Sequence, residues 1–120
     1  MQYLKKRNVT LIKIYNHVPR EAFFALMQEA TKEGIDVAGH KPLRVSAIEA
    51  SNAGMKSLEH AKFFIWESYQ KADSIRKLTN SSKSENTALR KDILQKHDSI
   101  LLQEIFATFK KNNTWYCPPI

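Results

Sequence analysis

Cysteine is almost missing from this chain. Cys117 stands alone, so no intrachain disulfide can form, and cysteine usage says nothing about the redox compartment. Glycine and proline are scarce, at three and four in 120 residues, which excludes a collagen-like chain and argues against a disordered one. No apolar run approaches the roughly 20 residues that a membrane span needs. The basic N-terminus MQYLKKRNV has no long apolar stretch after it, so no secretory leader is expected there, and localisation is left open. What is present suits one globular domain over residues 1–120: 42% hydrophobic residues, enough for a core, and 26% charged.

The formal charge of +7 raises the question of an anionic partner. Along the chain, however, the cations are spread evenly. Residues 1–60 hold nine Lys/Arg against six Asp/Glu, and residues 61–120 hold ten against six. Only Lys5-Lys6-Arg7 forms a cluster. This scatter reads as a solvated surface and argues against a nucleic-acid partner.

Residues 9–16, VTLIKIYN, are β-branched and aromatic-rich and predict a strand. After Pro19, the apolar positions Phe23, Phe24, Leu26, Met27 and Ala30 recur at helical spacing up to Gly34, predicting a helix over 20–33. IDVAGH (35–40) is a second strand, VSAIEASNAG a short helix, and the segment ending at His60 a third strand. Ser46 with Glu49 three residues on has the spacing of a capping box. Residues 9–60 therefore predict a βαβαβ core, and such alternation implies a parallel sheet with right-handed crossovers. Residues 61–79 read as one long amphipathic helix. NSSKSEN is a polar break, and 86–96 and 98–111 are two further helices with Ile93, Leu94, Leu101, Leu102, Ile105, Phe106 and Phe109 as core candidates. TWYCP, within 113–120, is a last strand. The early strands are apolar runs ending in polar residues, the pattern of parallel strands buried on both faces. In such folds chemistry sits at the C-terminal strand ends.

His40 ends one strand and His60 the next. Neighbouring parallel strands lie about 4.8 Å apart, so the two imidazoles can share one space and one divalent ion. The alternative is two unrelated strand-end histidines bonded to backbone.

The words around them favour the first reading. DVAGHKPLRVSAIEASNAGMKSLEH resembles the amidohydrolase superfamily, in its imidazolonepropionase-like and prolidase-like branch. There a strand ends Gly-His-x-Pro, a helix carries Val-Ser-x-x-Glu-Ala and closes on Ala-Gly, and the next strand ends Ser-(Ile/Leu)-Glu-His. IKIYN and REAFFALMQEA are similar to the preceding strand and helix. TWYCPPI is similar to the following strand, with Pro119-Ile120 where the branch has Thr-Leu.

The resemblance implies an α/β fold, a partial (β/α)8 TIM barrel of about half a barrel, matching the fourth to seventh strands, with a helix-rich C-terminal half. It implies a hydrolase that opens amide-like C–N bonds of small cyclic amides or dipeptides with water activated by zinc or a related divalent metal. His40 matches the fifth-strand histidine ligand and His60 the sixth-strand one. Lys13 matches the position of a carboxylated lysine. For Lys13 there is also a physical reason: a lysine inside an apolar strand has its pKa lowered by burial, and a neutral amine takes up CO₂. The alternative is an ammonium reaching water. Tyr15, Asn16 and His17 follow in the strand-to-helix loop as candidate substrate contacts, or as residues that merely shape the loop.

Glu59 alternates to the side opposite His60 and reads as structural. His97 reads as exposed and without a partner, and Cys117 as a buried strand residue. No His-x-His occurs, and no residue matches the family's eighth-strand catalytic aspartate. A closed barrel takes about 250 residues. A fragment of a longer enzyme, inactive and weakly metal-binding by itself, is therefore expected ahead of a half-barrel pairing with a second chain or a degenerate binding module. Self-association through exposed strand edges is expected in each case. The competing function is a non-catalytic, basic helical module, residues 61–112, binding a protein or an anionic partner.

Overall fold

A computed structural model describes residues 1–61, 63–77 and 87–118. Its elements, in chain order, are α1 (Gln2–Lys6), β1 (Leu11–Ile14), α2 (Arg20–Glu33), β2 (Asp36–Gly39), α3 (Ala47–Asn52), β3 (Ser57–Glu59), α4 (Phe63–Glu67), α5 (Ala72–Lys77), α6 (Thr87–Gln95), α7 (Ser99–Asn112) and β4 (Trp115–Cys117). The four strands form one parallel sheet in the order β1-β2-β3-β4. The expected alternation of strands and helices around a parallel sheet is therefore present.

Local chemistry explains most boundaries. Gly34 closes α2 in the left-handed conformation, φ 68°, which glycine adopts without steric penalty. Ser46 caps α3 in a full capping box: its side chain accepts from the Glu49 amide, and the Glu49 carboxylate accepts from the Ser46 amide. Asp98 caps α7 by accepting from the amides of Ile100 and Leu101.

One face of the sheet carries the core. Ile14, Val37 and Leu58 point toward the helices and are buried with Phe23 and Met27 of α2, Val45, Ala47 and Ala50 around α3, and Ile105 and Phe109 of α7. Among the described residues, the other face is uncovered: Leu11, Lys13 and Trp115 are exposed there, and Ala38 and Ser57 are half-buried. The expected burial on both faces is thus corrected to burial on one. Apolar composition alone does not say which side of a strand meets a partner layer.

The long helix expected over 61–79 is also corrected. The backbone leaves the helical path after Glu67 and is held by α6 and the turn beyond it instead. The Asp98 amide donates to the Ser68 carbonyl at 2.8 Å, the Gln70 amide donates to the Lys96 carbonyl at 3.3 Å, and the Tyr69 hydroxyl donates to Asp92. Tertiary bonds replace the intrahelical ones, so α4 and α5 are separate. The expected NSSKSEN break, apart from its neighbours in α6, and Pro119-Ile120 lie outside the described residues. Of the helical core candidates, Ile93, Ile105 and Phe109 are buried, whereas Leu94 and Phe106 are exposed. Cys117 is exposed as well, because β4 carries it on the uncovered face. His97 is exposed as expected but does have a partner: its Nδ1 lies 2.9 Å from the Ser68 hydroxyl.

Candidate metal centre

Strand register decides which side chains meet. Ile14, Gly39, Leu58 and Tyr116 are successive partners across the four strands. Leu58 faces the core, and Tyr116 packs edge-on against Phe64. Side chains alternate along a strand, so the next residue of each strand, Tyr15, His40, Glu59 and Cys117, turns toward the open face in one row. The side-chain geometry follows that row. The rings of Tyr15 and His40 stack at 5.1 Å and 21°. His40 Nδ1 lies 3.6 Å from Glu59 Oε2.

Gly39 makes the start of this row possible. It is buried with φ 123°, and a Cβ added there would fall 2.3 Å from the Ile14 carbonyl oxygen. Only glycine lets β1 and β2 approach this closely just before His40.

His60 joins by a different route. Strict alternation would send it toward the helices, away from Glu59. Its φ is instead 64°, in the left-handed region, while its amide donates to the Cys117 carbonyl at 2.9 Å. That conformation costs an L-residue about 1–2 kcal/mol and turns the imidazole back over the strand end. The His60 ring comes to 4.6 Å from that of His40. The expectation that Glu59 lies apart from His60 is therefore corrected: His40, Glu59 and His60 each offer a ligand atom, and these atoms all lie within 4.8 Å of one another. The signal for Glu59 was its position beside His60 at a strand end, but alternation does not carry past a residue with positive φ.

The donor set suits a divalent ion. Two imidazoles and a carboxylate are a zinc-type set, with ligand bonds of about 2.0–2.2 Å. Four-coordinate geometry at those lengths puts ligand atoms about 3.4 Å apart, a contraction that side-chain rotation can supply. The Nδ1 of His40 is buried and has no hydrogen-bond partner among the described residues, because Glu59 stops just beyond reach. An orphaned buried nitrogen facing a carboxylate is a position where a cation resolves a deficit.

Lys13 behaves differently from the expectation. β1 is at the edge of the described sheet and its outer face is open, so the Lys13 side chain is 49% exposed and its ammonium sits 3.1 Å from Glu59 Oε1. The hydrogen bond and charge of Glu59 raise its pKa above the ordinary lysine value. The expected lowering by burial is thus reversed. Asn16 is half-buried, and its carbonyl accepts from the Leu43 amide at 3.0 Å, tying the β1–α2 loop to the loop after β2. Tyr15 borders the cluster through its stacking on His40. His17 is exposed and outside the cluster.

A buried network supports the loop that follows His40. Lys41 donates to the carbonyls of Pro42 and Val45 and pairs with Glu67 at 3.1 Å. The other Glu67 oxygen accepts from the Ala47 amide at 3.1 Å and from Arg76 at 2.8 Å. Glu67 is only 5% exposed, and burial lowers the Lys41 pKa against the opposing pull of Glu67. The network fixes β2–α3 to α4 and α5 directly behind the histidine. In sequence, Glu67 was one more charge on a helix; its position four residues after Phe63, on the same face, was the available signal.

Comparison of the chain with protein-family models, with curated proteins and with solved structures finds no match in any of the three.

Proposed function

We propose that this chain carries part of the metal site of an amidohydrolase-type enzyme, on about half of a (β/α)8 barrel, which hydrolyses amide-like C–N bonds of small amides or dipeptides. The observation that carries the reading is the meeting of His40, Glu59 and His60 at the C-terminal ends of neighbouring parallel strands, the place where such folds keep their chemistry. The words that resemble the family lie on those same strand ends.

In this reading His40 and His60 hold the ion through imidazole nitrogens, and Glu59 balances its charge. A divalent ion held there supplies an acidified water and a Lewis acid for the scissile carbonyl. Tyr15 fixes the His40 ring by stacking, and the open face receives the substrate. Further ligands and the proton-transferring carboxylate come from outside these residues, added at the β1 and β4 edges, where the parallel ladder can extend. The chain alone is then a weak metal binder without hydrolytic activity.

Titration of the purified chain with zinc tests this. Weak but saturable binding of one equivalent is expected, reduced tenfold or more in His40→Ala, His60→Ala and Glu59→Gln. Absence of saturable binding, or undiminished binding by both histidine variants, overturns the assignment.

A further inference from the structure

Cations that are spread along the sequence gather at one end of the fold. The last turns of α1, α2 and α7 lie beside the first residues of β1, β2 and β4, at the end opposite the His40 cluster. Those turns carry Lys5 and Lys6, Lys32, and Lys110 and Lys111. Arg7 follows α1, and Lys56 precedes β3. Against these seven cations stand three carboxylates, Glu29, Glu33 and Asp36, leaving an excess of four. Glu29 is 3.7 Å from Lys32 and Asp36 is 3.9 Å from Lys56. Toward the other end of the fold cations meet carboxylates at short range: Lys13 meets Glu59, Arg20 meets Glu49, Lys41 meets Glu67, and Arg76 meets both Glu67 and Asp73.

Cations in a last helical turn interact favourably with the helix dipole, which accounts for part of this placement. Two large aromatics stand in water at the same end. Tyr3 is 63% exposed and Trp115 is 68% exposed. The Arg7 guanidinium lies 4.7 Å from the Tyr3 ring centroid. The Trp115 amide donates to the Lys56 carbonyl at 2.8 Å, so the two backbones run side by side where β3 and β4 begin.

Cations and exposed aromatic rings at one end of a fold have the chemistry that recognises single-stranded nucleic acid, with phosphates on the cations and bases on the rings. We propose that this pole binds single-stranded nucleic acid. A bilayer surface fits less well. Tyr3 lies on the β1 side of the sheet and Trp115 at its β4 edge, so they form no single apolar face to insert, and α1 has only five residues. The proposal is independent of the metal site.

Fluorescence anisotropy of a labelled single-stranded oligonucleotide, titrated with the full chain at several salt concentrations, tests it. Salt-sensitive binding with quenching of tryptophan emission is expected. Lys6→Glu with Lys110→Glu should weaken binding at least tenfold and flatten the dependence of log affinity on log salt by about 0.7 for each phosphate no longer neutralised. Trp115→Ala should weaken binding where Trp115→Phe retains it. Circular dichroism of each variant verifies the fold. No salt-sensitive binding by the unmodified chain, binding indifferent to the charge reversals in folded protein, or binding to phosphatidylserine vesicles but not to the oligonucleotide each overturns the proposal.

Discussion

Replacing Lys13 by Met should tighten zinc binding, and the sign of the effect separates two roles for this residue. The Lys13 ammonium holds Glu59 at 3.1 Å, in the position a divalent ion would claim. A metal that recruits Glu59 must first break that pair and then tolerate the displaced ammonium nearby. Met keeps much of the length of the side chain and removes both penalties. Because Lys13 is half exposed and its partner 27% exposed, water and salt screen the pair, and the gain is small, about two- to fivefold in affinity. A carbamate on Lys13 would give the opposite result. Losing an anionic oxygen ligand would weaken binding tenfold or more, and added bicarbonate would strengthen binding by the unmodified chain. The assay is competition against a chromophoric chelator at fixed pH, with and without bicarbonate, at two ionic strengths. Lys13→Arg preserves the ion pair and should bind like the unmodified chain. Higher salt should shrink the difference between Lys13→Met and the unmodified chain. Weaker or unchanged zinc affinity in Lys13→Met would refute the reasoning.

Two other outcomes follow from the buried and capping charges. Glu67→Ala removes the shared partner of Lys41 and Arg76 and the acceptor of the Ala47 amide; breaking such a buried pair costs about 3–5 kcal/mol, measured by urea denaturation, and a loss below about 1 kcal/mol would show that water replaces the carboxylate. The Glu49 carboxyl is held at about 2, below its ordinary 4.5, chiefly by its hydrogen bonds from Arg20. A lowered carboxyl pKa contributes stability that is full above 4.5 and is lost as pH falls from 4.5 toward about 2. Arg20→Met should flatten that acid limb in thermal melts across this range, and an unchanged slope would count against the pair.

Sequence and structure agree where the cause is local. Gly34 ends α2 because the chain there needs positive φ. Ser46 and Glu49 cap α3 because their spacing puts side chain and amide within reach. The βαβαβ order of residues 9–60 came from apolar periodicity and glycine punctuation, both short-range properties, and it placed His40 and His60 on adjacent strand ends. Burial and partnership are through-space properties, and there the sequence misled. Lys13 looked buried because its neighbours in β1 are apolar, yet one face of that strand meets no other layer among the described residues. Residues 61–79 looked like one helix because helical periodicity continues through the point where bonds to Lys96 and Asp98 redirect the backbone.

The composition and the order of residues by themselves determined that strands and helices alternate, that no disulfide holds them, and that two histidines stand at successive strand ends. Only the tertiary structure decided that Glu59 stands with those histidines, since the positive φ of His60 breaks the alternation that would have separated them. It also decided that an even spread of cations becomes a basic pole. A helix that leads into a parallel strand ends where that strand begins, so the basic last turns of α1, α2 and α7 arrive at the same end of the molecule.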